Sequence, residues 1–377
     1  MQTHPTWFQR IILPGFAFKA VVIGGGYATG RELATFFLPS GPWGGIWGML
    51  LAMVVWSIVC AVTFLFALQT GSTDYRAFFR NLLGRAWPVF EITYICALVV
   101  ILAVFAAAAG AIGQTLFGWP QIAGSLVLVA GIAAVATWGN DAVERLFKYV
   151  TVFLYATYAL FVLLAMLRFG DRMLAAFSLH PAASGWATGG LTYAGYNIIG
   201  AVVILPVVRH MTSRRDAVLA GLLAGPLAML PALLFFLCMA AYFPEVGREA
   251  LPSDFLLQRL DLPPFRVVFQ LMIFAALLES GTGGVHAINE RIAHAYRTTR
   301  GRDFSKTTRM IASLLVLTGS VFVADRVGLV DLIAGGYRWL SYAILAIFVL
   351  PLMTLGVLYL VRRRSEPVGG LSPQEAA

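Results

Sequence analysis

The 377-residue chain is 59% hydrophobic and only 12% charged, with a mean hydropathy of +0.81. Soluble domains carry about one-quarter charged residues, so the composition excludes an ordinary water-soluble protein, and no polar stretch is long enough for a second, aqueous domain. The formal net charge of +9 does not require nucleic acid, because Lys and Arg accumulate in the cytoplasmic loops of membrane proteins as a normal result of insertion.

In chain order, Met1 to Arg10 is short and polar, and the apolar segment after it carries charges and is too long for a signal-peptide core, so it is expected to be retained. Apolar segments of about 20 residues suffice to span a bilayer. Ten are predicted, at 11–38, 44–69, 87–117, 119–138, 146–168, 185–208, 216–243, 266–290, 308–325 and 337–361. The third and fourth nearly fuse and are divided at "FGWPQ", where Pro120 marks a start. Cys60, Cys96 and Cys238 all fall in apolar segments and read as small packing residues.

The first span contains "VVIGGGYATGREL", Val21 to Leu33. Gly24, Gly25 and Gly26 each cost a helix about 1 kcal/mol relative to alanine, and Gly30 weakens the next turn. Close helix packing is one use for such residues. The adjacent Thr29, Arg31 and Glu32 favour an interrupted helix that faces a cavity or protein. Such a break presents N–H groups from one half and carbonyls from the other. Arg31 and Glu32 point about 100° apart and so need separate partners or a water-filled path. They read as gate or site charges, with a structural ion pair to neighbouring helices as the other reading. Lys19 lies about one turn before the glycines.

The third span carries Glu91 near its start, Tyr94 a turn later, and a close-packing run from Ala106 to Gly113. The sixth, "WATGGLTYAGYNIIGAVVILPVV", is interrupted like the first, with Gly189, Gly190, Gly195 and Gly200 around Tyr193, Tyr196 and Asn197. The segment Tyr242 to Phe265 reads either as a structured cap over the outer face or as a solvated connector. In the eighth span Glu279, Thr282, Gly283, His286 and Glu290 share one helical face, with Ser280 beside it. Intramembrane ionisable groups are costly and usually face the bundle interior. Glu290 is expected to partner Arg291, and His286 reads as a proton relay or as a hydrogen-bonded structural histidine.

With the N-terminus inside, 18 of the 27 Lys and Arg fall in inside segments and 7 in outside ones, leaving Lys19 and Arg31 within the membrane. The expectation is a multi-pass protein of the cytoplasmic (inner) membrane with both termini cytoplasmic. The basic run "ERIAHAYRTTRGRDFSKTTR" belongs to this bias, with partner binding as the alternative. No nucleophile elbow, phosphate loop or paired catalytic carboxylates occur, so neither an enzyme nor a cofactor is indicated. A metal site is not expected either, since helix eight offers no second His and no Cys on its polar face.

The run "GGGYATGRE" resembles the signature of YkvI-type bacterial membrane proteins, whose first helix carries small residues, an aromatic and Thr/Ser-Gly-Gln/Arg-Glu. These resemble the amino acid–polyamine–organocation superfamily of transporters with the LeuT fold. The resemblance covers the ten spans, the breaks in helices one and six, and "ESGTGGVHAINER" in helix eight. It implies an all-α integral membrane protein forming a single domain over 1–377, a five-plus-five inverted repeat (11–168 and 185–361) with helices one and six broken. A central site between helices 1, 3, 6 and 8 would be reached alternately from each side.

The expected function is secondary active transport of a small polar organic solute, an amino acid or related zwitterion. An ion channel and a transporter-like sensor are the alternatives. Gly25, Gly26, Tyr27, Thr29, Tyr193, Tyr196 and Asn197 are the expected substrate-binding residues. In sodium-dependent relatives a cation lies between the break in helix one and the middle of helix eight. Here that neighbourhood offers Ser280 and Thr282, but also Lys19 and Glu279, and a fixed ammonium would repel sodium. The expectation is therefore proton-coupled or sodium-independent transport with these four as ion-coupling residues. Sodium is the alternative ion, and a snorkelling Lys19 the plainer reading.

Overall fold

A computed structural model describes residues 5–138, 141–179, 184–300 and 306–362. Arg302, Arg363 and Arg364, counted above as inside charges, lie outside the described residues. All regular elements among the described residues are helical. A wide turn, Phe8–Ile12, runs into α1 (Leu13–Val22), which is followed by the single turn α2 (Gly25–Ala28) and by α3 (Arg31–Phe36). Next come α4 (Gly41–Thr70), the short α5 (Tyr75–Leu83), α6 (Trp87–Phe117), α7 (Gln121–Trp138) and α8 (Asp141–Leu179). The second half holds α9 (Trp186–Asn197), α10 (Gly200–Val203), α11 (Arg214–Ala240), α12 (Pro252–Leu260), α13 (Pro263–Arg300) and α14 (Lys306–Val327). A last span combines α15 (Leu329–Asp331), α16 (Tyr337–Ile344) and α17 (Val357–Arg362), joined by wide turns.

Seven stretches among the described residues are long and apolar enough to cross a membrane. The ten expected from sequence differ by three segments. Two of these, 11–38 and 185–208, are divided by interruptions, and 119–138 supplies only the shorter apolar helix Gln121–Val135. The fifth segment, expected at 146–168, continues to Leu179. At 30 residues α4 is about 45 Å long, more than the ~30 Å of hydrocarbon, so it must tilt or protrude.

Local chemistry sets the boundaries. Asp74 caps α5 by accepting from the backbone N–H of Arg76 (2.8 Å) and Ala77 (3.0 Å), and Ser213 caps α11 through Asp216 N–H at 3.1 Å. Once capped, α5 turns Phe78, Phe79 and Leu82 inward and leaves Arg80 exposed, which seats it across the ends of the spans rather than through the layer.

Lipid offers no hydrophobic drive between helices, so close backbone approach does the packing. A Cβ on Gly221 of α11 would overlap the backbone of Ala61 on α4, and one on Gly225 would overlap the Met53 carbonyl. The small-residue run of α6 meets α7 in the same way: a Cβ on Gly110 would sit 2.6 Å from the Gln121 carbonyl oxygen, while Ser125 Oγ donates to the Ala106 carbonyl at 2.7 Å. Cys60 and Cys238 are buried as free thiols, whereas Cys96 is exposed on the outer surface of α6.

These contacts make a direct expectation for stability. Gly221→Leu should destabilise the protein by about 1–3 kcal/mol through overpacking, whereas Gly319→Ala, exposed on α14 with open space around it, should be neutral or gain up to about 1 kcal/mol from helix propensity. Thermal unfolding of the detergent-purified variants checks the pair; equal behaviour would show that the α4–α11 approach is not a tight one.

Candidate functional site

The first helix is interrupted twice. The Ile23 N–H still reaches the Lys19 carbonyl at 2.8 Å, but Gly24 is extended (φ −90°, ψ −178°), and the hydrogen-bond ladder stops there. The second interruption is at Gly30, whose left-handed backbone (φ 76°) and contact with Phe235 and Pro252 leave no place for a side chain. Gly24 faces inward: a Cβ on it would lie 3.7 Å from the Phe105 ring of α6 and 3.8 Å from Ser280 Oγ of α13. The break therefore lies where helices one, three and eight meet.

Helix six is interrupted within its glycine-containing stretch, as expected, although the glycines themselves are not the break. Its four glycines are used for packing: Gly189 on Phe36, Gly190 on Gly48, Gly195 on Ser341 and Gly200 on the Phe18 ring. The interruption falls between Gly195 and Gly200, at Ile198 and Ile199, which stay right-handed. There the ladder tightens, with Ala201 N–H bonding to Ile198 O (2.9 Å) and Val202 N–H to Ile199 O (3.1 Å). Asn197 ends α9, and its Nδ2 donates to the Tyr193 carbonyl at 3.1 Å.

The expected binding residues divide between two surroundings. Gly25, Gly26 and Tyr27 form α2. Tyr27 is buried, its hydroxyl 3.4 Å from that of Tyr158, which donates to the Pro231 carbonyl at 3.2 Å. Thr29 is also buried; its Oγ1 accepts from Arg31 N–H (3.2 Å) and its carbonyl accepts from Ser253 N–H (3.0 Å). Tyr193 packs on Phe37 and Trp56, with ring centroids at 4.8 and 5.5 Å, and its hydroxyl has no hydrogen-bond partner among the described residues. The Tyr196 ring packs against Tyr337, tilted by 35° with centroids 4.5 Å apart.

Arg31 and Glu32 have the separate partners that their angular spacing demands. Each is 5% exposed. The Arg31 guanidinium donates to the carbonyls of Gly247 (3.0 Å) and Glu249 (2.7 Å) and, through Nε, to Thr35 Oγ1 (3.1 Å). Glu32 Oε2 instead accepts from the Tyr196 hydroxyl at 2.6 Å, tying α3 to α9. The segment from Tyr242 to Phe265 is a structured cap rather than a loose connector. Asp254 of α12 accepts from Arg266 (2.7 and 2.8 Å), Gln270 (2.9 Å) and Gln258 (2.7 Å), fixing the cap to α13.

Helix eight departs furthest from its sequence pattern. Gly281, Val285, Ile288 and Asn289 form its buried face, while Gly283, His286 and Glu290 of the polar stripe are exposed and Glu279, Ser280 and Thr282 are half-buried. The stripe flanks the packed face, because backbone approach to Ile132 and Leu102 takes the glycine side of the helix. Thr282 Oγ1 donates to the Leu278 carbonyl at 2.7 Å. Glu290 pairs with Arg309 (2.5 Å), not with Arg291, which instead approaches Glu91 at 3.4 Å. Half-buried Lys19 places its ammonium 4.2 Å from the centroid of Tyr155, and Tyr155 in turn lies within electrostatic range of Glu279. The Tyr155 ring thus lies beside one expected ion-coupling residue and within electrostatic range of another.

A cavity of about 220 Å³ opens on the face that carries Arg10 and the end of α13, lined by residues including Tyr75, Tyr94, Val202 and Arg291. Sequence reasoning named Glu91 and Tyr94 but did not join them to Arg291, which lies about 200 residues away. No group of three or more His, Cys, Asp or Glu among the described residues is placed to hold a metal ion.

With this geometry in place, the chain can be compared with known proteins. No family model matches it. It is 21% identical over 333 residues to YkvI of Bacillus subtilis (strain 168), an uncharacterized membrane protein, covering 88% of this chain and 92% of YkvI. Similar solved structures include a Na+-coupled sialic acid symporter (TM-score 0.63, 12% identity, 94% of this chain and 82% of the symporter). The manganese transporter of Eremococcus coleocola aligns with TM-score 0.55 and 14% identity over 92% of this chain and 83% of that one. MhsT in complex with L-phenylalanine aligns with TM-score 0.53 and 16% identity over 95% and 97%. The chain is thus similar to a YkvI-type membrane protein and has the LeuT fold, and these structural neighbours are transporters rather than enzymes. Their cargoes differ in kind, so the fold alone does not name a cargo here.

The cap contacts separate the two adjacent charges experimentally. Arg31→Gln removes charged donors worth roughly 1.5–3 kcal/mol each and should speed amide hydrogen exchange across residues 245–254, whereas Glu32→Gln should leave that segment protected. Equal loosening in both variants would mean that the two side chains serve one structural unit.

Proposed function

We propose that this chain is a secondary active transporter that moves a small polar organic solute, an amino acid or related zwitterion, by alternating access. One observation carries the reading: a cap closes one face of the interrupted centre, while a separate cavity opens on the opposite face of the bundle. On the sealed face the cap locks onto helix one through Ser253, Gly247 and Glu249, and Glu32 ties helix one to helix six. On the opposite face a cavity reaches in between α6, α10 and α13. A protein with one gate shut and the other side accessible is in one half of an alternating cycle.

In this reading the two halves, 11–168 and 185–361, rock against one another in the cytoplasmic membrane, with both termini on the cytoplasmic side. The cavity then faces the cytoplasm. Gly25, Gly26, Tyr27, Thr29, Tyr193, Tyr196 and Asn197 line the solute site. The extended backbone at Gly24 and the buried Tyr193 hydroxyl, which has no hydrogen-bond partner among the described residues, support that placement. A zwitterion suits half-helix ends of both polarities. Replacing Gly25 by leucine should fill the break and abolish binding in a protein that still folds.

Coupling follows from the cation over Tyr155. Lys19 holds a positive charge one turn from the break, so sodium is repelled from the neighbourhood of Ser280 and Thr282. Lys19 and Glu279, communicating through Tyr155, take up and release a proton instead. Uptake into proteoliposomes, driven separately by pH and sodium gradients, tests this: a pH gradient should drive accumulation in the wild type, and Lys19→Ala should uncouple it. Strict sodium dependence unchanged in Lys19→Ala overturns the coupling scheme. Fast, uncoupled conductance would instead establish a channel, and binding without accumulation a sensor.

A further inference from the structure

The cavity on the open face has a chemistry of its own. Arg291 is held flat by two rings, its guanidinium 4.0 Å from the centroid of Tyr94 and 4.4 Å from that of Tyr75. Its Nη1 donates to the Ala287 carbonyl at 3.2 Å, and its Nε has no aligned acceptor among the described residues. Glu91 faces it, but its Oε1 already accepts from the Tyr75 hydroxyl (3.1 Å) and Arg76 (3.3 Å), and Arg291 Nε comes only within ion-pair range at 3.4 Å. Those ion-pair distances exceed the ~2.7–2.9 Å of well-formed charge-assisted bonds. Glu91 Oε2 and Arg76 Nε are likewise without partners.

Two guanidiniums thus share one carboxylate, and the charge does not balance. Asp74, on the exposed rim, has already committed Oδ1 to two backbone N–H groups of α5. Beside these groups the lining is apolar, with Phe90, Val202, Val203, Pro206 and Ala287. A planar, preoriented guanidinium whose Nε lacks an aligned acceptor is matched to a carboxylate, and the apolar lining to a hydrocarbon tail. The volume, about 220 Å³, equals roughly seven waters and lies below the ~300–1,000 Å³ of pockets for drug-sized ligands.

The cavity is separate from the central break. Along α6, Tyr94 is three turns from Phe105, and along the antiparallel α13, Arg291 is three turns from Ser280. Each helix places the two levels about 16 Å apart. Val202 and Val203 belong to α10, the part of helix six beyond its interruption, so the wall is shared with an element that moves if the halves rock.

We infer that this cavity is a second, exit-side station that receives a small carboxylate with an apolar tail, with Arg291 binding the carboxylate in place of its loose contact to Glu91. The inference rests on the transport reading for its place in a cycle, but the binding it describes can be measured without transport.

The test reads Arg291 itself. Purified protein in nanodiscs is treated with phenylglyoxal, and modification of the Arg291 peptide is followed by mass spectrometry in the presence of three probes of related skeleton. These are L-leucine, 4-methylpentanoate, which lacks the amine, and isoamylamine, which lacks the carboxylate. Both carboxylates should slow modification, about tenfold at ten times the half-protecting concentration, and isoamylamine should not. Val203→Trp, which fills the apolar side and leaves every charge in place, should abolish protection. The station is refuted if Arg291 reacts at one rate with and without carboxylates, if it is inert without probe while exposed arginines react, or if Val203→Trp keeps full protection. Protection in wild-type protein that accumulates no solute under any gradient would uphold the station and refute the transport reading.

Discussion

A carbonyl released from a helix within hydrocarbon must find a donor in the protein, because no water is there to supply one. In this chain the carbonyl is that of Thr29, and the donor is the backbone N–H of Ser253 in the cap. That bond makes a broken first helix admissible. It also explains why Gly30 is left-handed and bare: the cap residue Pro252 and Phe235 of α11 press against it where any side chain would stand. Arg31 then secures the same cap through two further carbonyls, so one turn of helix one binds backbone groups from a segment more than 200 residues away.

Because helix one is held by the cap, the opposite ends of the helices are left to form the open side. Glu32 joins α3 to α9 through Tyr196, and the aromatic residues around it, Phe36, Tyr193 and Tyr337, fill the space with rings rather than charges. The far end is organised by charge: Glu91, Arg76 and Arg291 meet among Tyr75 and Tyr94. The two faces thus differ in the kind of interaction that closes them. Hydrogen bonds to backbone carbonyls and a dry aromatic layer hold one face, while long ion pairs over a small cavity hold the other. The long ion pairs are the looser of the two, as exposed or partly solvated charge pairs generally are.

The amino-acid sequence alone determined the membrane class, the helical fold, the break in helix one and the need for separate partners for Arg31 and Glu32. Each of these follows from a local rule: hydropathy over a bilayer's thickness, the low helix propensity of consecutive glycines, or the 100° step between neighbours. Tertiary structure decided what depends on partners distant in the chain. The second break expected in helix six is present, but it falls on Ile198 and Ile199 while the glycines around it serve close packing, because a small residue permits both uses and only the neighbouring helix selects one. The polar stripe of helix eight has the right period yet flanks the packed face, since periodicity gives a face and not its direction. Arg291 found Glu91 rather than the adjacent Glu290, and Lys19 met the ring of Tyr155. Long side chains choose among charges brought together by the fold, and sequence adjacency carries no weight in that choice.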